Sequence, residues 1–260
     1  MAGLPSLENW ESTRDGLHQV ALVLSAIRVC CVEPQPNSLQ YSLGVTPAGL
    51  TTARLNIGGE LRFDMADLQL RYSRGEGKDF EIDVEGYDQK SLIDDVVGGF
   101  ASLGIEISPS RTHIRHNQIF EIDLGLAADY MNVLDAAYAA LARLRAGLGG
   151  CLSPLVLWAH HFDLGFLWFP GASMDEHKDP QLAFGFAPYS PGLDRPYFYA
   201  YGWSPDTGYL ALPVSAPARA ESDSYTGLYA GYDDLDKGDR FESQVERILR
   251  DYYSLAKGEL

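Results

Sequence analysis

Cysteine is scarce in this chain, at Cys30, Cys31 and Cys151 only. An odd count with two adjacent members builds no disulfide framework, so reduced thiols in a cytosolic protein are the expectation. Basic residues are scarce too: Lys and Arg total 20 against 36 Asp and Glu, a net charge of −16, with no basic run. Nucleic-acid binding draws its affinity from phosphate neutralisation, and an anionic membrane surface repels an acidic protein, so neither partner is expected. Long apolar runs are missing. The strongest in the first helical pattern, residues 20–27, is far short of the ~20 residues that cross a bilayer. Residues 1–11 carry neither a basic n-region nor an apolar h-region, so no secretory signal is expected and the expected location is cytoplasmic. The common catalytic motifs are also missing: there is no Gly-x-Ser-x-Gly elbow, no phosphate loop with its Lys and no His-Glu-x-x-His. The run Gly147-Leu148-Gly149-Gly150 lacks the strand before it and the helix after it that a dinucleotide site requires.

Apolar residues are plentiful at 46%, enough for a core in one large domain or two small fused ones. Four helices follow from the 3.6-residue period. The first is expected over residues 7–32, on Leu17, Val20, Ala21, Leu24 and Ile27. The second should begin at Ser91 as N-cap, with Leu92, Val96, Phe100 and Leu103 as its stripe. The third covers about 127–146 and the fourth starts near Asp239. Between them the period drops to two. Residues 39–45, 50–57, 61–72, 80–84 and 118–124 read as strands in the first half, and 155–169, 182–187, 197–203, 209–213 and 226–232 in the second. Residues 171–180 and 216–224 read as loops. Hairpin-length connections within these runs of strands argue an α+β fold, a mainly antiparallel sheet with four principal helices. A single compact domain over residues 1–260 is expected. Its halves, about 1–125 and 126–260, look alike at this coarse level, and an internal structural duplication is one reading of that likeness.

The densest polar cluster in apolar surroundings is Trp158-Ala159-His160-His161-Phe162-Asp163. Polar groups inside an apolar run need a reason, because burying them without partners is costly. Taken as a strand, this segment points His161 and Asp163 to one face and His160 to the other. A carboxylate beside an imidazole can orient it for proton transfer, so His160, His161 and Asp163 are the expected centre of a catalytic or binding site. Two imidazoles and a carboxylate also suit Zn²⁺ or Fe²⁺, but alternate faces would separate them, so no metal set is assigned and the cofactor stays unknown. The competing reading is structural: a His bonded to a backbone carbonyl and an Asp capping a turn. Tyr197, Tyr199 and Tyr201 share one strand face, either lining an amphipathic pocket or filling a half-exposed sheet. Two further ligand-binding candidates are His18, on the first helix, and His177, in a loop near enough to act as a lid. His113 and His116, flanked by Arg111 and Arg115, read as a solvated segment.

Residues spread along nearly the whole chain carry a family likeness. They include Trp10, Thr13 and Leu17-His18, then Val45-Thr46 and Gly49-Leu50-Thr51-Thr52. Phe63-Asp64, Asp67, Phe120 and Asp123 follow, then Ser153-Pro154, Trp158, His160, Phe162-Asp163-Leu164 and Phe198-Tyr199-Ala200-Tyr201. In these the chain resembles the bacterial proteins grouped as domain of unknown function 5996. The resemblance implies a soluble bacterial protein without an assigned activity, and it points to His18, His160 and Asp163 as matched polar positions. Where the family has Arg-Phe-Ser-Gly-Arg after the Asp, this chain reads Trp168-Phe169-Pro170-Gly171-Ala172, without either arginine. An anion held by those two side chains in relatives is therefore not expected here.

Two classes of function stay open. One is small-molecule binding or catalysis in a pocket lined by His18, Trp158, His160, His161, Asp163 and the tyrosines. The other is a non-catalytic interaction or regulatory role, with the polar core residues structural. A cavity at residues 158–163 would favour the first and a closed core the second.

Overall fold

A computed structural model describes residues 3–75, 77–214, 219–220 and 226–260. In chain order its first elements are α1 (Glu11–Cys31), β1 (Ser42–Thr46), β2 (Gly49–Thr51), β3 (Glu60–Asp64), β4 (Gln69–Ser73), β5 (Phe80–Asp83), α2 (Gln89–Ser102) and α3 (Leu124–Ala146). They are followed by β6 (Cys151–Leu152), β7 (Val156–Trp158), β8 (Asp163–Phe169), β9 (Gln181–Ala187), β10 (Tyr197–Ser204), β11 (Gly208–Tyr209), β12 (Arg219–Ala220), β13 (Leu228–Gly231) and α4 (Phe241–Ala256). This is the α+β class with antiparallel strand pairing that the two periods predict. Among the described residues, no helix is long and apolar enough to cross a membrane. The expected loop at 216–224 lies outside the described residues, apart from 219–220. The chain divides into two compact units. An N-terminal unit comprises Leu7–Asp135 and Leu157–Phe162, and a C-terminal unit comprises Met1–Ser6, Ala136–Val156 and Asp163–Leu260.

In the N-terminal unit β1 pairs with β7 on one side and β2 on the other, and the meander continues through β3, β4 and β5. Leu17, Val20, Ala21, Val23, Leu24 and Ile27 of α1 are fully buried. Each buried Leu, Val and Ile among them contributes about 1.5–3 kcal/mol of transfer free energy. Tyr72 of β4 and Phe80 of β5 both meet Phe100 of α2, with ring centroids 4.6 and 5.2 Å apart. Several expected boundaries shift, each for a local reason. α1 starts at Glu11 rather than residue 7, because Leu7 and Asn9 sit in the left-handed region at φ 53°. Asp88, not Ser91, caps α2. Its carboxylate accepts the Ser91 N–H at 2.6 Å and Ser91 answers as the third residue of a capping box. Residues 61–72 are a hairpin and not one strand: Asp64 and Asp67 accept the N–H groups of Ala66 and Gln69, and two Asx turns bend the chain. Residues 118–123 form no strand, and Asp123 instead starts α3 by accepting the Leu126 N–H at 2.9 Å.

In the C-terminal unit β8, β9 and β10 pair in that order, β13 and then β12 follow beyond β10, β11 pairs with β10 and β6 with β8. The register sets Gly165 opposite Gly185, and Gly185 opposite Tyr199. α4 packs on β9 and β10 through Phe241, Val245, Ile248, Leu249 and Tyr252, the face that its period predicts. The Tyr252 hydroxyl accepts the Gly202 N–H at 3.1 Å, and burial raises its pKa to about 12.

Candidate functional site

The segment expected to run as one strand through His160 and His161 does not. β7 ends at Trp158, residues 159–162 form a turn, and β8 begins at Asp163. The His161 N–H reaches the Trp158 carbonyl at 3.2 Å, and Phe162 takes φ 57°. An aromatic residue enters the left-handed region only when its surroundings hold it there. Here they do so by burial. Phe162 is fully buried in the N-terminal unit, stacked on His18 at 5.2 Å and tilted against Tyr130 at 5.7 Å. Trp10 continues the aromatic cluster, 4.8 Å from Tyr130. Strand alternation therefore does not govern which way His160 and His161 point.

His18 holds this turn from α1. Its Nε2 lies 2.8 Å from the Ala159 carbonyl, which can only accept, so Nε2 carries the hydrogen. Burial lowers the His18 pKa to about 4, with smaller contributions in the same direction from His161 and Arg14; the Ala159 bond and Asp15 oppose it. At neutral pH His18 is an uncharged strut between helix and turn.

His160 and His161 stand on the turn with ring centroids 4.2 Å apart, and Trp158 meets His160 edge-on at 6.1 Å. His160 borders a cleft of about 440 Å³ in the same unit. Leu22, Ala26 and Val29 of α1 line it, and the rest of the lining includes Tyr41, Thr112 and His113. Ser25 closes part of the base by donating to the Tyr41 carbonyl at 2.8 Å. Partial burial of the ring lowers the His160 pKa to about 4, and His161, His113 and His18 add to the effect. The loop carrying His113 is anchored by Gln89. That fully buried side chain accepts the N–H groups of Arg115 at 2.8 Å and His116 at 3.2 Å.

Asp163, Tyr197, Tyr199, Tyr201 and His177 belong to the C-terminal unit. The Tyr199 hydroxyl donates to Asp163 Oδ2 at 2.5 Å. Its ring lies in a trough made by two glycines: a Cβ on Gly185 would come within 2.3 Å of Tyr199 Cζ, and one on Gly165 within 2.8 Å of the hydroxyl. Tyr197 shares a hydrogen bond with Ser190 at 2.6 Å, and Tyr201 stacks on Tyr199 at 6.2 Å. Burial raises the pKa of Tyr201, with Tyr209, Asp163 and Glu176 adding to it, so this phenol stays neutral. Burial likewise raises the Glu176 carboxyl. The adjoining His177 side chain is 80% exposed on a turn held by the Asp175 carboxylate, so this imidazole faces solvent.

The structure thus gathers His18, Trp158, His160 and His161 around one turn, and sets Asp163 with the tyrosines of the other unit. Among the described residues, no three His, Cys, Asp or Glu side chains come together to hold a metal. The segment of His113 and His116 is exposed loop, as its basic neighbours suggested, and His113 borders the cleft from it; sequence reasoning missed Phe162, whose backbone conformation has no sequence signature. It also missed Gly165 and Gly185, although a glycine inside a strand is a signal that something approaches closely.

Fold and site together define an α+β protein with antiparallel pairing and a histidine-bearing turn beside an apolar cleft. The chain belongs to the family of unknown function DUF5996, whose model matches residues 3–258. No curated protein and no solved structure matches it.

Proposed function

We propose that this protein binds a small, uncharged, mostly apolar molecule in the cleft beside His160. The observation carrying this reading is the cleft, whose volume of about 440 Å³ falls in the ~300–1,000 Å³ range of small-molecule sites. Its α1 wall is apolar, and its polar end offers His113 and His160. A His160 imidazole with a lowered pKa is neutral at physiological pH. It can exchange a hydrogen bond with a ligand hydroxyl or amide but brings no charge. It is also a weak base, so the reading is binding ahead of proton-transfer catalysis. His161 and Trp158 flank the ring and His18 fixes the turn beneath it. A cytoplasmic setting is supported by three free thiols, and a partner other than nucleic acid by the net charge of −16.

The non-catalytic reading has its own support in the C-terminal unit. Tyr197 and Tyr199 already engage Ser190 and Asp163, and the Gly165–Gly185 trough fits the Tyr199 ring. We assign that ladder to sheet packing, not to the ligand.

The test is a thermal-shift screen of small uncharged aromatic and alicyclic compounds against the parent, Ala26→Trp, which fills the cleft, and His160→Ala. A compound that stabilises the parent should lose its effect in Ala26→Trp and keep only part of it in His160→Ala. Equal stabilisation of all three proteins would put the ligand elsewhere and sink the proposal.

A further inference from the structure

The last turn of α1 sets two sulfurs side by side. Cys30 Sγ lies 3.4 Å from Cys31 Sγ, and Cys30 is exposed while Cys31 is 4% exposed. A disulfide does not suit this pair. Consecutive Cα atoms are about 3.8 Å apart, below the ~4.4–6.8 Å that a disulfide spans. Both cysteines are also helical, so closing that ring would break the end of α1. One soft atom bridging both sulfurs suits the pair better. Two bonds of about 2.3 Å drawn from sulfurs 3.4 Å apart meet at about 95°. That is the angle of a pyramidal trivalent centre. Tetrahedral zinc would need its sulfurs ~3.8 Å apart and two further ligands. Among the described residues, no third His, Cys, Asp or Glu joins the pair.

We propose that Cys30 and Cys31 form a two-thiol chelating site for trivalent arsenicals of the monosubstituted, organoarsenical class. This inference is independent of the cleft beside His160. The exposed Cys30 sulfur is the point of entry. Its thiolate is favoured by the hydrogen bond from Cys31 and, to a smaller degree, by backbone N–H groups including that of Ser108, while Cys31, as donor, holds its proton more tightly. With phenylarsine oxide, Cys30 attacks arsenic first and Cys31 closes the ring. The two thiol protons leave with the arsenyl oxygen as one water, two arsenic–sulfur bonds replace the arsenic–oxygen bond, and arsenic remains trivalent, so no oxidant or reductant enters.

Intact-mass measurement of the folded protein with one equivalent of phenylarsine oxide should show one adduct per chain, reversed by 1,2-ethanedithiol. Cys151→Ser should keep it. Cys30→Ser, at an exposed position that leaves the fold intact, and Cys31→Ser should each lower the affinity by ~10²-fold or more, because a single thiol loses the chelate's effective concentration. An adduct that persists at parent affinity in either variant would overturn the proposal. So would a parent that reacts only when unfolded in urea.

Discussion

Acidification should weaken this fold through His18. The unfolded chain takes up this proton near pH 6.5, and the folded chain only near pH 4, because burial and the neighbouring His161 and Arg14 disfavour the imidazolium. Between those values the unfolded state binds more protons, so stability falls as pH falls. The contribution is fully present above pH 6.5 and is lost as pH drops through 6.5 towards 4. A gap of about 2.5 pH units at 1.36 kcal/mol each makes the loss about 3 kcal/mol. The control is His18→Gln, whose side-chain amide can still donate to the Ala159 carbonyl but does not titrate. Urea unfolding of both proteins at pH 7.5, 6, 5 and 4 isolates the His18 part, since His160 and the carboxylates are common to both. The parent should lose about 3 kcal/mol more than His18→Gln across that range. Parallel curves would show that His18 titrates alike in both states, and the strut between α1 and the turn would then not be a buried neutral imidazole.

Three further substitutions probe the same framework. Phe162→Ala should cost about 3–5 kcal/mol in urea unfolding, because it empties the space against His18 and Tyr130; a loss under ~1 kcal/mol would mean that ring burial does not hold the turn. Gly185→Ala should cost about 1–3 kcal/mol, since its Cβ would meet the Tyr199 ring and the Leu164 carbonyl, and Tyr199→Ala in the same chain should relieve part of it; strictly additive costs would count against the trough. Gln89→Ala removes the acceptor for two N–H groups at about 1–3 kcal/mol, and limited proteolysis should then cut faster at residues 110–116, an unchanged cleavage rate arguing against the anchor.

The parts of this structure that were legible in the sequence are those written in a period. α1 and α4 bury the faces their apolar spacing marks, and β9 and β10 fall within a residue of the expected spans. What escaped was written in single residues. Asp64 and Asp67 bend a 12-residue alternating run into a hairpin by bonding their own following N–H groups, which alternation does not register. The turn at residues 159–162 was hidden for the opposite reason. Its residues are aromatic or imidazole and look strand-like, and the left-handed Phe162 is stabilised by distant partners on α1 and α3. The histidines were visible as a cluster, but the face each would use was not, because a turn resets the alternation. His113 reached the cleft through Gln89, a contact 26 residues from Arg115 in sequence that no local pattern carries.

On the proposed reading, the histidines near the turn also bear on what kind of molecule the cleft would suit. Protonating His160 or His18 would look like the way to attract an anion, yet their neighbours oppose it: His161, His113 and His18 all push the His160 pKa down, and His161 does the same to His18. Burial acts in the same direction on both rings and is the larger cause. His160 and His18 therefore stay neutral at physiological pH, and the His160 ring bordering the cleft supplies directional hydrogen bonds without a field. The net charge of −16 works against anions at longer range as well. A phosphate or carboxylate ligand would thus meet neither a charged imidazole at His160 nor a favourable approach. An uncharged molecule with a hydrogen-bonding group loses nothing to either effect, and the apolar α1 wall of Leu22, Ala26 and Val29 rewards its burial. The same electrostatics would make the proposed binding pH-dependent in a definite direction: protonating His160 at acid pH removes its one acceptor nitrogen. A ligand that donates to His160 should therefore keep its affinity below neutrality and weaken only as pH falls towards about 4, and His160→Gln, which keeps an acceptor at every pH, should bind it with a flat profile. A ligand whose affinity rises on acidification in the parent would mean that the cleft recognises negative charge, and the uncharged class would be wrong.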